Sequence, residues 1–566
     1  MFTARTGRFL ERVCAASALS VLLAACGGGG SGNTSPPSSP PAPPPQPTQA
    51  ELESASRLAA KATFGLDYGG VVALAELGAD TWLERQFQLP VTRHSPLVFE
   101  LVERRENGEF DAFEQDIEYL IISRRLAWWH HTVTAPDELR QRVAFALSEI
   151  FVVSDNVDTL LVYPAALSTY YDMLLDNAFG NFRDLLRDVT LSPAMGFYLS
   201  HLNNGKSDPA NNTFPDENYA REVMQLFSIG LFELNGDGSL ELDGGNPVPT
   251  YDNGDIREFA KVFTGLSYGG PGGFFGNQEP GFTVPMQMFD EAHEAGEKRL
   301  LNGTVVPAGQ TGVQDIEAAI DNLFNHPNVG PFIGKQLIQR LVTSNPSPAY
   351  VERVANAFND DGAGVRGNMR AVIRAVLLDP EATAEPSPGT DFGKLREPAV
   401  RYAAMLRQLG ATSDDGYIFN TGYLLQELGK QHPLSAPSVF NFYLPAHSPA
   451  GEIAAAGLVA PEFQILTSNS VVGMTNLIDF AVSAEFVTDA PPPFAPVSLS
   501  YDDYLPLAAD VPALLDRLDL VMTAGTLDAA TRSAIEAIVD GIDDADARVR
   551  VAVYLVLVSA DAAVRL

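Results

Sequence analysis

The sequence predicts a mainly α-helical protein: one large multi-helical body with long Gly/Pro-rich loops and few short strands. Apolar residues recur at three- and four-residue spacing along much of the chain, strict apolar–polar alternation never persists, and helix start and stop signals bracket the periodic stretches. With 46% hydrophobic residues, a body of about 500 residues can bury a large core.

The first element is not part of that body. Arg5, Arg8 and Arg12 precede an apolar run too short to span a bilayer, the layout of an export signal over residues 1–25. Leu23-Ala24-Ala25-Cys26 resembles the lipobox of bacterial lipoproteins, in which cleavage before the cysteine leaves it to carry acyl chains. The resemblance implies lipidation at Cys26 and a partner in the lipid bilayer. Gly27 in place of an aspartate implies sorting to the outer membrane. An ordinary cleaved secretory signal is the plainer alternative. Residues 26–49 then form a Gly/Ser/Pro-rich linker, with Pro40-Pro41-Ala42-Pro43-Pro44-Pro45 as an extended spacer.

The body is expected over residues 50–566. The nearly all-apolar run Val143–Val153 predicts a central buried helix near 140–152. Ser192-Pro193 supplies an N-cap and an N1 proline for another. Further helices are expected near 216–230, near 255–264 with Asp255 and Glu258 as a capping box, and near 333–342. Residues 501–566 read as a C-terminal helical segment. Long Gly/Pro-rich loops around 235–251 and 269–285 are expected to be functional or disordered.

Composition narrows the chemistry. Of the two cysteines, Cys14 lies in the signal and Cys26 in the lipobox, so the body has no thiol for a disulfide, a CxxC site or a nucleophile. Net charge is −34; loss of Arg5, Arg8, Arg12 and Glu11, a net +2, takes it to −36. That field argues against a nucleic-acid partner. The eight histidines include no HxH or HxxxH pair, HExxH and P-loop patterns are absent, and no dinucleotide GxGxxG follows a strand.

Arg140-Gln141-Arg142 through Glu149, Leu191-Ser192-Pro193-Ala194-Met195 and Glu217-Asn218-Tyr219-Ala220-Arg221-Glu222 resemble a bacterial family called domain of unknown function 1800. So do Phe263-Thr264-Gly265, His293-Glu294 with Lys298, Lys394-Leu395-Arg396-Glu397-Pro398, and Gln431 ahead of Pro437-Ser438-Val439-Phe440-Asn441-Phe442. Asp216-Glu217-Asn218 and His293-Glu294 depart from its usual Asn-Glu-Asn and His-Asp. The resemblance implies an envelope protein without established activity, and a protein partner similar to the sulfatase and alkaline-phosphatase superfamily.

Two functions follow from the residues. One is an accessory or binding lipoprotein of the envelope. The other is an envelope hydrolase using Glu217, Arg221, Glu222, His293 and Lys298, with Asn218, Asp255 and Gln431 binding ligand and a divalent cation as a possible cofactor. Helical spacing puts Glu217, Arg221 and Glu222 on one polar flank, which is either a cleft wall or a solvated face with an i,i+4 pair. His293, flanked by carboxylates, suits metal binding or proton relay, or a surface role. Glu149 is expected to pair with Arg140 or Arg142 or to stay neutral. Glu233–Glu241 partly matches a calcium loop and otherwise reads as a polar turn. The hydrolase reading expects Glu217, Arg221, Glu222, His293 and Gln431 around one cavity, with the 269–285 loop over its mouth.

Overall fold

The computed structural model describes residues 46–109, 116–275, 281–385, 391–484, 487 and 494–566. The predicted signal and Cys26 lie outside the described residues. Within them are 25 α-helices, and the only sheets are four antiparallel two-stranded pairs. The mainly α-helical class read from the spacing is the observed one. Pro47–Leu566 forms one compact unit.

Helix α1 (Gln49–Ala62) starts at a capping box, Thr48 and Glu51, each side chain accepting from the other's backbone N–H. Helix α2 (Asp116–Thr134) brings Trp128 and Trp129 to the core, edge to face at 4.8 Å. The predicted central helix is α3 (Glu138–Ser148), buried at every position from Leu139 to Ser148. It stops before Phe151–Val153 because Ile150 and Phe151 both turn back to Leu147 O.

Helix α4 (Asn218–Gln225) is shorter than the spacing suggested. Past Gln225, Phe227 N bonds Glu222 O and Ile229 N bonds Met224 O, so the ladder widens to i+5 and unwinds into Gly230 at φ +75°. Helix α5 (Asn253–Val262) starts three residues before the predicted box. Asp252 is its N-cap, and Asp255 is the N3 partner rather than the cap. Apolar periodicity begins only at Ile256, so it could not register Asn253 and Gly254.

Helix α6 (Gly312–Phe324) leads into α7 (Val329–Leu341), which is buried along most of its length. Buried Asn328 ties the start of α7 to the 229–250 hairpin. Its Nδ2 donates to Ile229 O and Phe232 O, both at 2.8 Å, and its Oδ1 accepts Leu234 N at 3.0 Å. Helix α8 (Pro398–Gln408) follows strand Lys394–Leu395, which pairs with Val564–Arg565. Helix α9 (Ala545–Val558) packs Val549, Val553 and Val556 into the same core that holds Leu58, Val143 and Leu337. Residues 501–566 therefore share the body's core.

The Phe263-Thr264-Gly265 motif has a local reason. Gly265 lies at φ +86°, and a Cβ there would stand 2.8 Å from Phe289 O and 3.0 Å from His293 Cβ. Gly265→Ala is expected to cost about 2–4 kcal/mol, combining left-handed strain with overpacking. Urea unfolding of the variant against wild type checks it.

Candidate functional site

A cleft of about 970 Å³ opens between the 229–250 hairpin, α7 and the segments around 345, 440 and 458. That is the upper end of the ~300–1,000 Å³ typical of small-molecule sites. Its walls are largely apolar, with Leu226, Leu231, Phe232, Leu240, Phe332, Phe392, Phe440, Leu444 and Leu458. Helix α7 contributes Phe332, Lys335, Gln336, Gln339 and Arg340, whose three- and four-residue spacing sets them in one stripe. The opposite side is fixed by Asn345, whose amide exchanges two 2.9 Å bonds with the backbone of Val459. The Glu233–Glu241 stretch forms a polar turn: Asn235 N bonds Ser239 O, Asp237 accepts from Ser239, and Leu234 and Leu240 face the cleft.

The floor is polar and deeply buried. Glu149 Oε1 accepts from Asn441 Nδ2 at 3.2 Å and lies 3.1 Å from the Tyr443 hydroxyl, which is 2.8 Å from Glu397 Oε2. A hydroxyl has one proton, so it can donate to only one of the two carboxyls. Gln431 Nε2 also donates to Glu397 Oε2, at 2.7 Å, while its Oε1 accepts Ala399 N. Arg142 Nη2 stands 4.0 Å from Glu397. Burial and the nearby charge of Glu397 push the Glu149 carboxyl up to about 8. Burial pushes Glu397 the same way, but Lys394 and Arg142 outweigh it and hold that carboxyl below its ordinary value. At neutral pH the pair therefore shares one proton, carried by Glu149.

Arg340 completes the floor. Its Nη2 donates to Glu149 O at 2.8 Å and its Nη1 reaches Gln336 at 3.3 Å, while Nε stays 3.9 Å from Glu149 Oε2. Glu149 Oε2, Gln336 Nε2 and Arg340 Nε are buried without a hydrogen-bond partner in the protein. Each such group costs about 1–3 kcal/mol. All three belong to residues that line this one cleft.

The residues singled out from sequence divide among different settings. Glu217 and Arg221 form an i,i+4 pair at 3.5 Å, with 42% and 41% of their side chains exposed, on a solvated face. Asn218 is exposed, its N–H donating to Asp216. Glu222 is buried, with burial raising its pKa, and Asp255 accepts from Asp252 N at the start of α5. His293 and Lys298 do meet, on Asp315 of α6: Nε2 at 3.0 Å and Nζ at 2.5 Å from the same Oδ2. Thr264 O takes the other His293 nitrogen at 2.9 Å. All three side chains are at most 2% exposed, a closed knot that fastens the 289–299 segment to α6.

Glu217, Arg221, Glu222, His293 and Lys298 do not line the cleft, and Gln431 lies behind its floor. In the 269–285 loop, residues 276–280 lie outside the described residues. Phe282 packs on Tyr163 and Tyr268, away from the cleft lining. Glu149 pairs with neither arginine of its own helix. It sits beyond the end of α3, where Arg340 reaches it, while Arg140 turns to Asp137 and Leu175 O. The groups missed from sequence were Gln336 and Arg340, polar interruptions in the apolar stripe of α7, and Tyr443. Among the described residues, no cluster of three or more His, Cys, Asp or Glu could hold a metal, and no helix is long and apolar enough to cross a membrane.

Segments 140–149 and 437–442 supply Glu149 and Asn441 to this floor, and 394–398 and 431 supply Glu397 and Gln431 behind it; all four carry the family resemblance. A family model described as Protein of unknown function (DUF1800) matches residues 57–564, nearly the whole chain, and the protein belongs to that family. No curated protein and no solved structure matches it.

The raised Glu149 pKa has a signed consequence. Between its unfolded value near 4.5 and its folded value of about 8, the folded state holds a proton that the unfolded state has lost. This stabilisation is complete below the lower value and disappears as pH rises through the upper one, at up to ~1.4 kcal/mol per pH unit. Glu149→Gln keeps the shape and removes the proton. Its stability curve from pH 5 to 8 should fall less steeply than that of wild type, as urea unfolding at each pH would show.

Proposed function

We propose that the protein is a lipid-tethered binding protein of the bacterial envelope whose cleft takes an amphipathic ligand. The observation that carries this reading is the pairing of apolar walls with a buried floor of unpartnered polar atoms. A ligand with an apolar body and a small polar end would satisfy both. The resemblance to a lipobox at Cys26 and the proline-rich spacer support a tether that leaves the body hanging from the outer membrane. The closed His293–Lys298–Asp315 knot and the solvated Glu217–Arg221 pair support binding rather than hydrolysis as the task of this body.

Leu240 and Leu444, 45% and 44% exposed on the cleft walls, allow a test without disturbing the core. The full chain carrying Cys26→Ser, purified without detergent, should bind a fluorescent apolar probe such as 1-aminoanthracene and release it to monopalmitoyl glycerol. Leu240→Arg with Leu444→Arg should weaken probe binding tenfold or more at unchanged melting temperature. Unaltered binding by the double variant would overturn this use of the cleft.

The tether is tested separately. Cys26→Ser should move the protein from the membrane fraction to the soluble fraction and abolish acyl labelling. A variant that still needs detergent for extraction would refute lipid anchoring.

A further inference from the structure

The charge at the cleft floor has the opposite sign to the chain as a whole. In the buried layer, Arg142, Arg340, Lys394 and Arg565 face three carboxyls, Glu149, Glu397 and Glu462. Lys394 is matched by Glu462 at 2.8 Å, and Arg142 is nearest Glu397. Arg565 donates from Nη1 to Ala60 O and from Nη2 to Leu341 O and Val342 O. Of the four cations, Arg340 is the one that lines the cleft, and the carboxyl nearest it is Glu149, which keeps its proton at neutral pH. The excess positive charge is therefore left where the cleft is.

The donor geometry agrees with that sign. Gln336 and Arg340 are one turn apart on α7, so their side chains are neighbours. They are 8% and 4% exposed, and Gln336 Nε2 and Arg340 Nε donate to nothing in the protein. Two adjacent unused N–H groups, one on a guanidinium, suit two oxygens of a single anionic group. The carboxylates at the rim do not fill this role: Glu381 is held by Arg353 at 3.0 Å, and Asp391 is exposed. A chain of net charge −34 repels anions at long range, so attraction at the floor must come from these groups at contact distance.

Resting on the reading of the cleft as a binding site, we infer that its ligand is a single-chain amphiphile with a small anionic head, a carboxylate or a phosphate monoester. The head accepts from Arg340 Nε and Gln336 Nε2, and the chain runs along Phe232, Phe332 and Phe392.

The Cys26→Ser protein distinguishes the heads by competition against the same fluorescent probe at pH 7. The competitors are palmitate, palmitoyl glycerol phosphate and uncharged monopalmitoyl glycerol, each below its critical micelle concentration. At least one anion should compete ten times or more better than the uncharged amphiphile, and the tighter of the two identifies the head. Gln336→Leu should cut that preference several-fold while sparing monopalmitoyl glycerol, and Arg340→Gln should abolish it. Because Arg340 is buried and its loss can unfold the protein, the wild-type comparison and Gln336→Leu carry the test. Equal competition by all three overturns the anionic head and leaves the amphipathic cleft standing. Failure of all three to displace the probe overturns both.

Discussion

The C-terminus of helix α7 is the constraint around which the rest of the molecule is arranged. A helix ends with carbonyls that have no intrahelical partner and with the negative pole of its macrodipole. Here that end is buried, and three cations from distant parts of the chain answer it. Arg142 and Lys394 both donate to Arg340 O, at 2.8 and 2.9 Å, and Arg565 donates to Leu341 O at 2.5 Å. Each then needs its own counter-charge or further acceptors, which brings Glu397, Glu462 and, through Tyr443, Glu149 into the same layer. Helix α3, the 394–398 segment and the terminal strand are fixed to α7 by this one requirement.

The floor is a by-product of that solution. The cation-rich layer leaves donors unpartnered on Arg142 and Arg565 away from the cleft, and on Arg340, beside Gln336, where it meets the cleft. Arg340 occupies that boundary: its backbone carbonyl anchors the layer while its side chain serves the opening. Truncating its side chain would leave that carbonyl in place but remove the Nη2 bond to Glu149 O, whereas the side chain of Gln336 meets the layer only through Arg340 Nη1. The acidic pair shares a proton because burial and the charge of Glu397 outweigh Arg340, whose Nε stays 3.9 Å from Glu149. The floor thus avoids a negative charge despite the composition of the chain.

Much of the fold was legible because helices leave periodic traces. The stripes at Ile256–Phe263 and Phe332–Val342 and the apolar run at Val143–Val153 all became helices, with ends displaced by a few residues where capping groups lacked apolar neighbours. The site was far less legible. Helical spacing grouped Glu217, Arg221 and Glu222, but it could not say whether their flank met water or protein, and for Glu217 and Arg221 it met water. His293 and Lys298 meet on Asp315, which lies on another helix with no sequence signal linking it to either. Glu149 belongs to the floor and Gln431 lies behind it, but Arg340, which lines the cleft beside Glu149, was hidden in a stripe read for its apolar members.

The same capping contacts determine the order in which the molecule can assemble. The bonds that Arg142 and Arg565 make to the end of α7 join residues 198 and 224 positions apart, and the strand pair 394–395 with 564–565 closes a loop of comparable size. Closures of that length cost chain entropy before they return any contact energy. The early turns of α7 can form locally, whereas its last turn waits for segments from both ends of the body. The cleft floor is therefore a late product of folding, and a chain that has collapsed around its apolar helices would still lack it.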